Sequence, residues 1–445
     1  MMKDKVKDLG IKKIIIIISV LLFVIGIVSG FIIALSNHNS ASIKSSSTSA
    51  SDISSNYNVQ FDSSTVLEGE SITSGGSYTI SGDYGGITIN TNDAVELRLD
   101  GATITNSNGP GIYVESAKSV SIVLIGENKI VSTTTTDLDG AIYSKDDLIL
   151  SGDGSLEIES NYDGIVSKDT LVINSGTYTI KASDDGIRGK DNVAIVSGTF
   201  TIDVSGDGIK STNEEESGKG YVAIDGGSFT IKSIGDSISA TTNLIINDGT
   251  FNIKTTGNSD SKSCKGLKAV ILLEINGGSF TLNNTDDSIH SDGDILINGG
   301  SFTIDTDDDG IHTDGMLEVN DGVFSINGHE GLEGTYIKVN GGTITIQATD
   351  DGINAGNKSN KYTATVEING GNITIDMGQG DTDAIDSNEN IYINGGTLTI
   401  TAQSPFDYDG EGKYSGGKMI INGEETTTIT NQMMGGGPGG MYRGR

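Results

Sequence analysis

The strongest constraint on the fold of this chain is a short phrase, Asp-Asp-Gly-Ile-His-Thr at 308–313, that returns at nearly regular intervals. Neighbouring copies of its glycine position lie 21 or 22 residues apart, or 29 or 32 residues apart where a loop is inserted. These positions are Gly164, Gly186, Gly208, Ser237, Gly266, Ser288, Gly310, Gly331, Gly352 and Ala384. Such a period predicts a solenoid, in which each unit buries its apolar face only by stacking on its neighbours.

One repeat, from Ser288 to Gly310, contains three short segments of alternating apolar and polar residues, each bounded by Gly, Asn or Asp. The predicted inward residues are Ile289, Ile295, Ile297, Phe302 and Ile304. Three strands in each unit of about 22 residues predict an all-β protein, a right-handed parallel β-helix with three strands per coil. We expect about twelve coils between residues 57 and 430.

Stacked coils place equivalent residues in columns. An aromatic column is predicted to pack in the core: Tyr178, Phe200, Phe229, Phe251, Phe280, Phe302 and Phe324. An asparagine column is predicted to be structural, with amides hydrogen-bonded from coil to coil: Asn174, Asn247, Asn276, Asn298, Asn320, Asn340, Asn369 and Asn394.

The residue before the repeated glycine is acidic in most copies, so carboxylates are expected about 5 Å apart between coils. Two such charges repel by about 3 kcal/mol at an effective dielectric constant of about 20. Calcium, a hard cation with oxygen ligands, would relieve this repulsion. The candidate ligands are Asp184, Asp185, Asp207, Asp286, Asp287, Asp308, Asp309, Asp350 and Asp351.

Two alternatives to calcium remain open at this stage. Aspartate is common in turns before glycine and can simply stay solvated. The ammonium of Lys265, which interrupts the acidic column, could also neutralise its neighbours without a metal. Transition metals are less favoured, because the chain holds only 4 His and 1 Cys.

The residue after the repeated Ile forms an outward column beside the acids, and its cationic members are Arg188, Lys210, Lys268, His290 and His312. We predict that they bind the carboxylates of an acidic polysaccharide, alone or with calcium as a bridge. Ordinary solvated side chains are the alternative. A net charge of −32 excludes nucleic acid as a partner.

The ends of the chain have a different composition from the repeats. Residues 1–13 are rich in lysine and 14–35 carry no charge, which predicts a cytoplasmic N-terminus and a single membrane-spanning anchor. Residues 36–56 are a Ser-rich segment, predicted to be a flexible linker, and 431–445 a disordered Gly-rich tail. The β-helix of residues 57–430 would then lie outside the cell.

The tandem D-D-G-I-x-[ST] and I-N-G-G-x-F-T-I units resemble those of a clostridial family of cell-surface carbohydrate-binding proteins, over most of 163–400. The resemblance implies a right-handed parallel β-helix like that of pectate lyases, bound calcium, and association with cellulose and pectin-type polymers. It would place calcium ligands on the paired acids of the repeated phrase. Lys265 and Glu330 depart from the pattern.

The favoured function is a membrane-anchored, monomeric, non-catalytic protein that binds acidic or cellulosic polysaccharide, because the polar candidates are spread over many coils. The alternative is a polysaccharide lyase, in which calcium acidifies a proton beside a uronate carboxylate and Arg188, Lys210 or Lys268 removes it. A hydrolase would instead use Asp305, Asp308, Asp309 and His312. A surface spacer or adhesin is the third possibility.

Overall fold

A computed structural model describes residues 41–46, 48–57, 59–133, 137–378 and 382–431. The chain divides into two compact units, Met1–Ser42 and Ile43–Arg445. The predicted basic segment, the apolar span of 14–35 and the tail after residue 431 lie outside the described residues. No described helix combines the length and apolar character that crossing a membrane requires.

The second unit is all-β, with long parallel sheets in a β-helix-like arrangement. Each turn of the chain adds one strand to each of three faces. Face 1 is a sheet of fifteen short strands: Ser71–Ile72, Ile87–Asn90, Ile112–Ser116, Gly140–Ser144, Asp163–Ser167, Ile187–Gly189, Ile209–Ser211, Ile238–Ala240, Leu267–Ala269, Ile289–Ser291, Ile311–Thr313, Leu332–Gly334, Ile353–Ala355, Ile385–Ser387 and Asp407–Tyr408.

Faces 2 and 3 follow face 1 in each coil. Face 2 contains Ser64–Val66, Ser119–Ile125, Leu148–Gly152, Thr170–Ile173, Asn192–Ile195, Tyr221–Ile224, Asn243–Ile246, Leu272–Ile275, Asp294–Ile297, Met316–Val319, Tyr336–Val339, Thr365–Ile368, Asn390–Ile393 and Gly412–Tyr414. Face 3 contains Glu127–Ser132, Ser155–Ser160, Thr177–Ala182, Thr199–Val204, Ser228–Ser233, Thr250–Thr255, Ser279–Asn284, Ser301–Thr306, Val323–Gly328, Thr343–Ala348, Asn372–Met377, Thr397–Thr401 and Lys418–Ile421. Gly76–Tyr84 and Ala94–Asn106 run through both faces, and Glu424–Thr426 pairs antiparallel with the last strand of face 3.

The coils stack in register, as the repeat predicts. Ile289 pairs with Ile311 on face 1, and Phe280 pairs with Phe302 on face 3. Face 1 has fifteen described strands, more than the about twelve coils expected. Five of these strands lie outside the ten repeat positions: four precede Asp163, and Asp407–Tyr408 follows Ala384. The right-handed sense of the coil stays a prediction.

The predicted core columns are confirmed. Ile289, Ile295, Ile297, Phe302 and Ile304 are each at most 2% exposed. The aromatic column forms a continuous stack from Tyr178 to Phe324, with ring centroids 4.6–5.1 Å apart and nearly parallel planes. This separation equals the strand spacing, since each ring is carried by the same position of successive coils.

The asparagine column is also structural, as predicted. Asn276 donates to the side-chain oxygen of Asn247 at 2.9 Å, and Asn298 donates to that of Asn276 at 2.7 Å. The same bond continues upward as far as Asn394. From Asn247 to Asn394 the side-chain amides thus satisfy one another from coil to coil.

The segment formed by residues 43–46 and 48–57, which we call the strap, differs from the flexible linker expected for part of it. It contains a short helix, Ala50–Ser54, and a 3-10 turn, Ser55–Tyr57, and runs down the outside of face 2. Its donors and their acceptors are Ile43 with Glu318 (2.8 Å), Ser46 with Glu274 (2.6 Å), Ala50 with Asp225 (3.0 Å) and Ser54 with Asn174 (2.5 Å).

The strap also covers apolar surface. Ala50 is fully buried against an outward stripe on face 2, formed by Ile149, Val172, Ala194 and Ala223. A serine-rich segment cannot bury enough apolar surface by itself. Here the folded coils supply both the apolar stripe and the acceptors.

Candidate functional site

The repeated acids line one edge of the second unit, in the turn that leads from face 3 into face 1. We call this turn, with the outward residues beside it, the acidic edge. Its glycines let backbones approach: a Cβ on Gly186 would lie 2.5 Å from the carbonyl oxygen of Gly208 in the next coil. Three of the repeat positions hold Ser237, Ser288 and Ala384 instead, all fully buried. Small residues at this position therefore allow the backbones of successive coils to lie close together along the acidic edge.

Several carboxylates of the acidic edge use one oxygen to accept a hydrogen bond from the backbone of the next coil. Asp163 accepts a hydrogen bond from the backbone N–H of Asp185 at 2.9 Å, and Asp185 accepts one from Asp207 at 2.8 Å. The same ladder joins Asp309 to Glu330 and Asp351 to Asp383. The second oxygen of each acid then remains for a cation. This structural role was not foreseen from the residue pattern.

In the lower coils, lysine and arginine side chains supply that cation. Arg188 lies 2.5 Å from Asp163 and 2.7 Å from Asp139. Lys210 bridges Asp185 at 2.9 Å and Asp207 at 3.0 Å. The side chains of these two cations are only 18% and 25% exposed. Their charges are therefore directed at the carboxylates of the folded chain and not at solvent.

In the next coils, other lysine side chains again pair with the acids. Lys265 lies 2.6 Å from Asp286 and 2.7 Å from Asp287, which is the neutralisation without metal considered above. Lys268 pairs more loosely with Asp236, at 3.6 Å. Of the predicted calcium ligands in this half of the edge, Asp184 alone has an exposed side chain that forms no ion pair with the described lysines and arginines.

Histidines replace lysine in the middle of the edge. His290 contacts Asp287 through Nδ1 at 2.8 Å and Asp292 through Nε2 at 2.9 Å. The ring of His312 packs edge-on against that of His290, with ring centroids 4.9 Å apart and planes inclined by 69°. Burial alone would lower the pKa of His312, but hydrogen bonds to Asp287 and Asp309 raise it to about 10. The opposite holds for Asp287: burial would raise its pKa, but His290 and His312 hold it well below its usual range.

In the upper coils, the described lysines and arginines form no ion pair with the carboxylates of Glu330, Asp351 and Asp386. Burial, reinforced by neighbouring acids, raises the pKa of Glu330 to about 8, of Asp351 to about 7 and of Asp386 to about 6. One oxygen of Glu330, Oε2, is buried and has no hydrogen-bond partner among the described residues. Asp386 also stacks on Asp407 of the next coil. Sequence reasoning named Asp351 here but missed Glu330 and Asp386.

The raised pKa values of these three carboxyl groups predict how stability depends on pH in protein freed of metal. The unfolded forms of Glu330, Asp351 and Asp386 titrate near pH 4, whereas their folded forms hold the proton up to about pH 8, 7 and 6. The folded state therefore binds more protons in this window, and its stability falls as pH rises through it. His312 acts in the same direction above its unfolded pKa, since its folded pKa is about 10.

We expect the free energy of unfolding, measured in urea with chelator present, to fall by at least about 2 kcal/mol from pH 4.5 to pH 8. Asp287, whose pKa is lowered, acts only below this window. Glu330→Gln should flatten the dependence, because an amide does not titrate, whereas Asp305→Asn on the exposed side of face 3 should not. Stability that rises toward pH 8 would contradict the prediction.

Comparison with known proteins finds a matching family, a curated relative and a similar solved structure. Residues 68–310 and 305–434 match the family described as carbohydrate-binding domain-containing protein. A protein of Acetivibrio thermocellus with this description is 32% identical over 117 residues, which are 23% of this chain and 41% of that protein. The match thus spans less than half the length of this relative.

A solved structure, described as that of the polysaccharide lyase-like protein from C. thermocellum in a gadolinium derivative, is also similar. It is 29% identical in sequence, covers 52% of this chain and 89% of its own, and superposes with a TM-score of 0.42. The family match, by contrast, extends over most of the described residues. The protein belongs to the family of carbohydrate-binding domain-containing proteins.

Proposed function

We propose that this protein binds an extended polysaccharide along the corner where face 3 turns into the acidic edge. The observation that carries the proposal is a pair of open cavities on this corner. One has a volume of about 550 Å³ and is lined by Asn161, Lys181 and Asp203, among others. The other, several coils further on, has a volume of about 250 Å³ and is lined by Lys254 and Asn283, among others.

The chemistry of the corner suits sugars. Hydroxyl, amide, ammonium and carboxylate groups line both cavities, and Lys181, Asp203, Lys254 and Asn283 belong to one outward column of face 3. A site that repeats along a stack of coils matches a polymer better than a single sugar. Exposed lysines in the column could pair with uronate carboxylates. The right-handed coil and cell-surface anchoring through 14–35 are parts of the same proposal.

Calcium belongs to the proposal at the upper coils. Glu330, Asp351 and Asp386 fit a hard cation, because they are oxygen donors with no described lysine or arginine partner, and Glu330 has an unpaired buried oxygen. The lower predicted ligands fit it less well, since Arg188, Lys210 and Lys265 already supply the positive charge. Bound calcium would neutralise the upper edge and stabilise the folded coils.

A lyase is less well supported. A catalytic base must lose its proton, but Asp207 and Asp185 raise the pKa of Lys210 although burial opposes them. Arg188 is similarly held between Asp163 and Asp139. Arg188 and Lys210, two of the three cations considered as bases, therefore act as counter-ions.

Binding of the full-length protein to polygalacturonate and to cellulose, with calcium and with EGTA, tests the proposal. We expect Lys181→Gln with Lys254→Gln to weaken binding at least about tenfold, because both cavities lose their cation. Lys418→Gln, an exposed lysine at the far end of face 3, is the matched control. No binding to either polymer would favour a spacer, and unsaturated products would favour a lyase.

The calcium part is tested separately by thermal unfolding. Calcium should raise the Tm and EGTA should reverse the rise, because a ligand that binds only the folded state stabilises it. Asp386→Asn should reduce the shift, whereas Asp203→Asn should leave it unchanged. A Tm that does not respond to calcium would remove calcium from the proposal without affecting the glycan-binding result.

A further inference from the structure

Three histidines lie close together in neighbouring coils of the acidic edge. The sequence has 4 His, and His290, His312 and His329 lie in three successive coils. Each belongs to a cluster with carboxylates whose candidate ligand atoms all lie within 4.8 Å of one another. His290 and His312 stand in the outward column that holds Arg188, Lys210 and Lys268 in lower coils. In these two coils an imidazole therefore takes the place of the ammonium or guanidinium group.

His312 has the most unusual surroundings of the three. Its Nδ1 atom lies 3.1 Å from Glu333, 3.4 Å from Asp309 and 3.3 Å from Asp287. A single N–H can point at only one of these oxygens. His290 differs, because each of its ring nitrogens has its own carboxylate.

The separations match those between ligands of one metal ion. Zinc binds imidazole nitrogen and carboxylate oxygen at about 2.0–2.2 Å, so the ligand atoms of a tetrahedral ion lie about 3.3–3.6 Å apart. Asp309, His312 and Glu333 form one of the clusters, and Asp309 and Glu333 are buried. Three protein ligands leave a fourth position for water or another ligand.

The groups around the cluster also fit a metal site. The other nitrogen of His312, Nε2, is buried, has no hydrogen-bond partner among the described residues and lies 3.7 Å from a carboxylate oxygen of Asp314. A carboxylate on this side is the usual orienting partner of a metal-binding histidine. Lys358 pairs with the other oxygen of Glu333 and would fix its direction.

We propose that Asp309, His312 and Glu333 form a binding site for a divalent transition-metal ion of the zinc class, distinct from the calcium sites of the upper coils. The imidazole nitrogen separates the two classes, because calcium takes oxygen ligands and zinc accepts nitrogen readily. The site is independent of glycan binding. Its alternative is that His312 serves only as a counter-ion, as Lys210 does.

Titration of the metal-free full-length protein with Co²⁺ and Zn²⁺ tests this site. We expect one Co²⁺ to bind with the visible absorption of a tetrahedral nitrogen and oxygen site, and Zn²⁺ to displace it. His312→Gln and Glu333→Gln should each lower the affinity for Zn²⁺ by at least about 100-fold, since removing an orienting partner alone costs about 10–100-fold.

Two controls keep the outcome specific. Asp386→Asn, in the upper coils, should leave the affinity for Zn²⁺ unchanged, and excess Ca²⁺ should not displace Co²⁺. Circular dichroism would verify that both site variants fold. Absence of stoichiometric Co²⁺ binding, equal affinity in His312→Gln, or displacement by Ca²⁺ would each overturn the proposal.

Discussion

Replacing Phe302 by alanine is expected to lower the free energy of unfolding by about 3–5 kcal/mol. The ring is 2% exposed and lies between Phe280 and Phe324, with centroid distances of 4.7 and 4.6 Å. Truncation would leave a cavity that the stacked neighbours cannot close, because both are fixed in register by face 3.

Urea unfolding of Phe302→Ala beside the parent protein measures this loss. The matched control is Thr303→Ala, the next residue on the same strand, whose side chain points to solvent. It should change stability by less than about 0.5 kcal/mol. Equal stabilities of the two variants would mean that the aromatic stack does not hold the coils together.

The second large effect is expected from Arg188→Met. Arg188 is the cation nearest to Asp163, whose side chain is only 2% exposed. Removing one partner of a buried ion pair leaves an uncompensated charge, which costs about 3–5 kcal/mol. The loss should be smaller in acid, because a proton can then replace the guanidinium on Asp163.

Unfolding at pH 8 and at pH 5 measures both parts of this prediction. Lys232→Met is the matched control, since Lys232 and Asp203 form an exposed pair at 3.2 Å and such pairs contribute about 0–1 kcal/mol. Arg188→Met with Asp163→Asn should recover most of the loss. If the double variant were no more stable than Arg188→Met, the buried charge would not be the cause.

The repeat was sufficient to predict the fold, because a fixed period places equivalent residues above one another. The inward Ile304, the aromatic stack through Phe302 and the amide ladder through Asn298 all follow from position in the repeat. The expected number of coils was too low, because five strands of face 1 lie outside the ten copies of the repeated phrase.

The site could be predicted only in part. A column of acids predicts repulsion between carboxylates. The residue pattern does not predict which of these carboxylates a long lysine or arginine side chain contacts. Arg188 contacts Asp163 of the coil below and also Asp139, which lies outside the repeated phrase. Burial of Glu330 and Asp386 likewise depends on the turn around them, so their raised pKa values could not be deduced from residue type.

The strap reverses the usual relation between order of synthesis and order of folding. Ile43 contacts Glu318, which follows it by 275 residues. This contact of the strap therefore cannot form until most of the repeats have been made. At about 5–20 residues per second, a ribosome needs about 14–55 s to cover that distance. Residues that are translated early thus settle late, and the apolar stripe beneath them stays open to chaperones or other chains in the interval.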